Sequence, residues 1–308
     1  MLDPAVAPFV PQLDVSTLTL AQMRSFGDQF AASMKKRALA RVIDRTIEGP
    51  AGAVPLRIYY PDGIEPAGLI VFLHGGGWCM GSLETHDAVC RDVTHFTGFA
   101  VGAVDYRLAP EHKFPAGLSD AVTATGWLLD HAKELGCDPD RVAIMGESAG
   151  ANLAAVVAQK LKQRQGARLS YQVLVFPLTD FTLPFDSYVR HAAGPGLTTE
   201  GVKWCAGHYL TEAEKVHPDA SPYRRPDLDG APPAFILTAE VDPLCDDGEA
   251  YGRRLVEAGV RITMKRYLGL PHGFLGLPLE LEPIRRVYED LGQVLRRDVG
   301  PSFSRTKN

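Results

Sequence analysis

Ser148 stands in Gly146-Glu147-Ser148-Ala149-Gly150, a G-x-S-x-G pentapeptide. The apolar run Val142–Met145 precedes it, and the small-residue stretch Ala149–Ala158 follows. That context places the serine on a sharp strand-to-helix turn, where strained backbone lifts the hydroxyl above the sheet edge. Glycine two residues to either side is what such a turn requires, since side chains there would collide as strand and helix close up. A glycine-rich turn with a merely solvated serine would show the same five residues; the strand before and the helix after separate the two readings. A serine hydroxyl attacks a carbonyl at neutral pH only if a neutral imidazole takes its proton, so a histidine and a carboxylate are needed.

Chain order narrows the search, because in the strand–turn–helix context of this motif the acid and then the histidine follow the serine. Of nine histidines, His74, His86, His95, His112 and His131 come too early. His191, His208 and His217 fall in a long segment without buried strands. His272 is left, in Leu270-Pro271-His272-Gly273-Phe274, between the last strand pattern and the last helix pattern. The acid is expected just past the preceding strand. Asp242 is first beyond Ala234–Glu240, with Pro243 stiffening its turn. Asp246 and Asp247 are the rivals, but first-turn acids at the positive end of the next helix explain them better. The acid's task is to fix the imidazole tautomer and stabilise the imidazolium.

A second glycine cluster, His74-Gly75-Gly76-Gly77-Trp78, ends the buried run Gly68–Leu73. Without Cβ atoms, Gly75, Gly76 and Gly77 let backbone N–H groups approach a ligand oxygen. With the N–H of Ala149 they are expected to form an oxyanion hole. Gly75, Gly77 and Gly81 also suggest a dinucleotide loop, but the last spacing is three residues instead of two, which departs from that fingerprint. The glycines need no cofactor once Ser148 is placed, and neither a cofactor nor a metal is expected.

The elements that must hold these groups read as alternating strands and helices. Leu56–Tyr60 alternates. Gly68–Leu73, Ala100–Val104, Val142–Met145, Val173–Phe176 and Ala234–Ala239 are continuous apolar runs, and Ile262–Tyr267 alternates weakly. Helical stretches intervene at Ala116–Leu135, Ala149–Gln163, Asp246–Ala258 and Pro283–Arg297. This predicts an α/β fold, a mainly parallel sheet with helices on both faces. Two pieces are surplus to the sheet. One is residues 1–45, with a helix over Thr17–Ala40 capped by Thr19 and Gln22. The other is residues 180–226, with a helix over Thr198–Leu210. They are expected to pack together as a helical cap on a catalytic domain of residues 46–179 and 227–308. Met23, Phe26 and Phe30 are expected to be helix core rather than contacts to a substrate.

With 45% hydrophobic and 22% charged residues, the 308-residue chain has the composition of an ordinary globular protein. A net charge of −5 gives no general attraction to nucleic acid. The basic run Lys35-Lys36-Arg37, with Arg41 and Arg45, reads as the solvated face and last turn of a helix. No stretch approaches the roughly 18 apolar residues of a membrane span, and residues 1–15 lack the regions of a signal peptide. The five cysteines, Cys79, Cys90, Cys137, Cys205 and Cys245, form no CxxC pair, so reduced thiols and a cytoplasmic location are expected.

Five stretches together resemble the bacterial hormone-sensitive lipase family of esterases: His74-Gly-Gly-Gly-Trp78, Asp105-Tyr-Arg-Leu-Ala-Pro-Glu-His112 with Phe114-Pro-Ala116, Gly146-Glu-Ser-Ala-Gly150, Asp242-Pro-Leu244 and His272-Gly-Phe274. The resemblance runs from about Val54 to about Arg297. It implies an eight-stranded α/β-hydrolase fold with a helical cap and no cofactor, and a carboxylesterase acting through an acyl-serine on short- to medium-chain esters. It also implies Ser148, Asp242 and His272 as triad, with Gly75, Gly76, Gly77 and Ala149 around the oxyanion. Glu147 stands where many members carry Asp or Thr, and Cys245 where Arg is frequent; neither change removes a catalytic group. Asp105–His112 is expected to be scaffolding beneath the site. The alternatives are a non-catalytic small-molecule receptor on the same fold, against which His272 argues, and an amidase or lactonase with the same triad. The partner implied is a small ester, and the sequence leaves room for a homo-oligomer.

Overall fold

The computed structural model describes residues 1–11, 18–63 and 65–299. Eight strands form one sheet: β1 (Arg41–Gly49), β2 (Gly52–Tyr60), β3 (Leu69–Leu73), β4 (Ala100–Val104), β5 (Val142–Glu147), β6 (Tyr171–Val175), β7 (Ala234–Val241) and β8 (Ile262–Pro271). Their order is β1-β2-β4-β3-β5-β6-β7-β8. β2 pairs antiparallel with β1 and with β4, and all other pairs are parallel.

The continuous apolar runs are strands whose two faces are both covered. In β3, Leu69, Val71 and Leu73 enter one core, with Leu128 of α3 (Ala116–His131) and Ala154 of α4 (Ala149–Leu161). Ile70 and Phe72 enter the opposite core, with Val89 of α2 (Asp87–Thr97) and Leu291 of α8 (Glu282–Asp298). Period-two side-chain direction is the reason one strand serves both cores. Truncating a residue such as Phe72 to alanine would cost about 3–5 kcal/mol. α7 (Cys245–Glu257) joins the first core through Tyr251 and Leu255.

The edges differ from the sequence expectation. β1 has no counterpart in it, because this antiparallel edge strand buries only Ile47 fully and carries Arg41, Asp44, Arg45 and Glu48. β8 runs past Tyr267 to Pro271, with a register shift against β7 between Ala239 and Val241. That extension delivers His272 directly at a strand end.

The surplus pieces also need correction. α1 spans Leu20–Ser33, with the Thr19–Gln22 capping box in place; the expected start at Thr17 lies outside the described residues. The helix stops short of Ala40 because the chain must extend toward β1. Lys35-Lys36-Arg37 therefore lie beyond the helix and are not its last turn. There Lys36 pairs with Asp87 at 3.2 Å and Arg37 with Asp92 at 3.0 Å. Residues 41–45 belong to the sheet, and Val6 and Val10 are buried in the core on the α8 side. Within 180–226 stand a short helix, α5 (Ser187–Arg190), and α6 (Thr199–Tyr209), N-capped by the Thr198 side chain. No helix among the described residues is long and apolar enough to cross a membrane.

Candidate active site

β5 ends at Glu147, and Ser148 follows with φ 53° and ψ −119°, a conformation that L side chains rarely adopt. The surroundings hold it there. The Ser148 N–H donates to the Val175 carbonyl of β6 at 2.9 Å, and the Ser148 carbonyl accepts from Asn152 N–H at 3.0 Å. The flanking glycines are steric necessities. A Cβ on Gly146 would lie 2.2 Å from the Gly150 carbonyl oxygen, and one on Gly150 would lie 2.0 Å from the Leu73 carbonyl oxygen.

Three strand ends converge on one line of hydrogen bonds. His272, past β8, sets Nε2 2.9 Å from Ser148 Oγ and Nδ1 2.8 Å from Asp242 Oδ2. Asp242, the first residue past β7, is fully buried, and its Oδ1 accepts from Leu244 N–H at 2.9 Å. A carboxylate facing Nδ1 requires the proton there, which leaves Nε2 a lone pair for the serine proton. The Phe176 ring packs against the imidazole, centroids 4.6 Å apart.

Asp246 and Asp247 are not brought to the imidazole. Asp246 pairs with Arg190 of α5 at 2.9 Å. Asp247 is buried and accepts from Thr179 N–H at 3.1 Å, from the Thr179 hydroxyl, and from Tyr188 O–H at 2.7 Å. It thus ties the start of the 180–226 segment to α7, and burial pushes its carboxyl up to about 7.

Gly75, Gly76 and Gly77 line the same cavity as Ser148 and His272. Gly76 and Gly77 have φ of 114° and 60°, and a Cβ on Gly76 would lie 2.3 Å from the Met80 carbonyl oxygen. The N–H groups of Gly75, Gly76, Gly77 and Ala149 donate to no acceptor among the described residues. They are therefore free to donate to an oxygen in the cavity.

Several wall residues were not legible as site residues. Glu147 is nearly buried and sets Oε1 2.8 Å from His86 Nε2, while its Oε1 and Cγ would each lie 3.4 Å from a Cβ on Gly75. This pair backs the glycine loop. His74 stacks on Tyr106 at 4.3 Å, and burial drives its imidazole down to about 3, so it stays neutral. The segment expected to be scaffolding has two functions: Tyr106 O–H donates to the His74 carbonyl at 2.8 Å, while Arg107, Leu108 and His112 form cavity wall.

The cavity has a volume of about 880 Å³, suited to a small organic ligand. Both surplus pieces contribute to it, through Met23, Phe26 and Gly27 of α1 and Val202, Trp204 and Cys205 of α6. Met23 and Phe26 are thus wall and not helix core. Phe30 is also only half-buried, but it lines a second cavity, with Leu277 and Leu279. α1 is anchored by Arg24. Its Nε donates to the Cys79 carbonyl at 2.8 Å, Nη2 donates to the Ala109 carbonyl at 3.0 Å, and the guanidinium grips Glu111 at 2.7 and 2.8 Å.

Comparison with known proteins places the chain in a family. A family described as alpha/beta hydrolase fold matches residues 70–276. The chain is 43% identical over 244 residues to the carboxylic ester hydrolase LipN of Mycobacterium tuberculosis, covering 77% of this chain and 65% of that one, just under two thirds of the relative. It is 39% identical over 242 residues to the esterase LipI of the same organism, covering 77% and 75%. An esterase structure from Pyrobaculum calidifontis superposes with a TM-score of 0.91 at 35% identity, over 98% of this chain and all of that one.

Proposed function

As the chain belongs to the alpha/beta hydrolase fold family, in its hormone-sensitive lipase-like branch, and is a carboxylic ester hydrolase, we propose that Ser148, His272 and Asp242 carry the reaction on short- to medium-chain esters. Ser148 Oγ attacks the ester carbonyl carbon while its proton passes to His272 Nε2. Asp242 holds the Nδ1 proton and stabilises the imidazolium without taking that proton. Negative charge gathers on the carbonyl oxygen, where N–H groups of the Gly75–Gly77 loop and of Ala149 receive it. Losing one such donor costs about 2.7–4 kcal/mol of transition-state stabilisation. As the tetrahedral intermediate collapses, Nε2–H protonates the departing alcohol and leaves an acyl-serine. Water, deprotonated by the same imidazole, releases the acid.

The observation that carries this reading is the continuous pair of contacts from Asp242 through His272 to Ser148, at 2.8 and 2.9 Å, opening into a mostly apolar cavity. α1 and α6 form its cap, and the cap with the 880 Å³ volume favours a small, dispersed ester over an emulsified one. Five free, buried cysteines support a reducing, cytoplasmic setting.

The test is hydrolysis of p-nitrophenyl esters from acetate upward in chain length. Acetate and butyrate are expected to turn over, and Ser148→Ala and His272→Ala each to lower kcat by several orders of magnitude, about 10⁶ in a comparable triad. Near-full turnover by Ser148→Ala would overturn the mechanism. A strong preference for long emulsified chains would overturn the substrate class.

A further inference from the structure

Two of the five thiols meet at the oxyanion loop. Cys79 closes the Gly75–Trp78 turn and sets its Sγ 3.8 Å from the Gly76 carbonyl oxygen. Cys205 comes from α6 and forms part of the cavity wall. The space between them is reserved by Gly77. A Cβ there would lie 2.4 Å from Cys205 Sγ and 3.9 Å from Cys79 Sγ. Both sulfurs thus border the same gap beside Gly77. The pair therefore joins the cap helix α6 to the loop whose N–H groups are proposed to face the reacting carbonyl.

We propose that Cys79 and Cys205 are an oxidisable dithiol, and that their disulfide, formed with a peroxide as oxidant, shuts the esterase down by locking α6 onto the oxyanion loop. The reactive form of a cysteine is the thiolate. Cys79 is the better placed to supply it, because the Cys205 thiol and the Arg24 guanidinium stand near and together hold its thiol below the ordinary value despite burial. At Cys137 and Cys245 burial outweighs the pull of a nearby arginine, Arg41 and Arg266 respectively, and pushes each thiol up to about 12.

The steps balance. Cys79 thiolate attacks one peroxide oxygen, the O–O bond breaks, and the departing hydroxide takes a proton and leaves as water. Cys205 Sγ then attacks the sulfenic sulfur on Cys79, forming the S–S bond as the S–O bond breaks. The Cys205 proton leaves with that hydroxyl as a second water. Two thiols have lost two hydrogens, and the peroxide has been reduced to water. A peroxide reaches the pair from the cavity, on the side that Cys205 lines.

The formation of the bond stands by itself; only its effect on turnover rests on the oxyanion reading above. The experiment keeps the two apart. The full chain is reduced, freed of reductant, treated with hydrogen peroxide and mapped by mass spectrometry under non-reducing conditions, while p-nitrophenyl butyrate turnover is followed in parallel. The expected result is a Cys79–Cys205 cross-linked peptide pair and a loss of two hydrogens. Turnover should fall between about tenfold and a hundredfold, as a displacement of about 1 Å at a reacting centre can cause, and dithiothreitol should restore it. Cys79→Ala and Cys205→Ala should each lose the cross-link and hold their own untreated rate through the peroxide step. Cys137→Ala should respond as the wild type does. Free, alkylatable Cys79 and Cys205 after oxidation would overturn the proposal, as would inactivation of Cys79→Ala to the wild-type extent. A cross-link with unaltered turnover would overturn the claim of control.

Discussion

Gly150→Ala adds one methyl group where the structure leaves no place for it. The new Cβ would lie 2.0 Å from the Leu73 carbonyl oxygen, 2.4 Å from that of His74 and 2.6 Å from the Leu73 carbonyl carbon, against ordinary contact at 3.4 Å or more. All three are backbone atoms, so no side chain can rotate away. The N-terminal turn of α4 must retreat from the end of β3 by about 1 Å. Overpacking of this kind costs about 1–3 kcal/mol of stability. The catalytic effect is larger, because Ser148 and Ala149 start α4 while Gly75–Gly77 continue β3. The retreat separates the proposed nucleophile and one proposed oxyanion donor from the other proposed donors, and 1 Å of misplacement is worth about 10² in rate. Gly126→Ala in α3 is the internal control. Nothing lies within 4 Å of its Cβ, so the same methyl should stabilise the helix by about 0.5–1 kcal/mol and leave kcat unchanged. Thermal unfolding and kcat on p-nitrophenyl butyrate read both. The reasoning is refuted if Gly150→Ala keeps wild-type kcat and Tm, or if Gly126→Ala is the more damaging of the two.

Asp242→Asn keeps the shape of the acid but no longer holds a proton on Nδ1, so kcat should fall by about 10⁴ with KM little changed; a fall in KM-controlled binding alone would count against it. Asp247 and His74 make opposite contributions to stability against pH. Asp247, raised in the fold to about 7 from 3.8, gives stability that declines as pH rises across that window, and His74, lowered to about 3 from 6.5, gives stability that is lost as pH falls across nearly the same window. Thermal melts of Asp247→Asn should therefore gain on wild type by a few kcal/mol between about pH 4 and pH 7, and a constant difference would refute the assignment. Arg24→Ala removes four hydrogen bonds that seat α1 and should raise KM for p-nitrophenyl butyrate more than it lowers kcat, which steady-state kinetics would show.

What was legible in the sequence is what short stretches of chain decide by themselves. Ser148 was readable because the pentapeptide, the strand before it and the small-residue helix after it all lie within a few residues of one another. His272 and Asp242 were readable because each immediately follows a strand, so topology alone brings them to one edge of the sheet. β1 escaped for the converse reason: an antiparallel edge strand with one wet face need not be apolar, and Arg41–Gly49 buries a single side chain fully. α2 escaped too, since its buried face includes Asp87, Asp92, Thr94 and Thr97 beside the apolar residues. Length also misled. The spacing of α1 extends the expected helix through Lys35-Lys36-Arg37, but Asp87 and Asp92 of α2 receive Lys36 and Arg37 beyond the helix end, and no local pattern announces a partner so far along the chain.

The same limit explains the site residues that were missed. Glu147 with His86, Arg24 with Glu111, and Cys79 with Cys205 each join segments that only the fold brings together. The carboxylate of Glu147 departs from the Asp or Thr common at its position, and it reaches across to His86 behind Gly75. The sequence showed that departure without its meaning. In the structure it becomes a brace for the glycine loop, set on the residue just before the nucleophile. Displacement at Glu147 would therefore reach both halves of the proposed oxyanion hole together: Ala149 through the chain, and Gly75 through contact. The chemistry-bearing atoms are thus locally encoded. Their relative placement to within about half an ångström, which is what the rate depends on, is set by long-range pairs that a reading along the chain does not see.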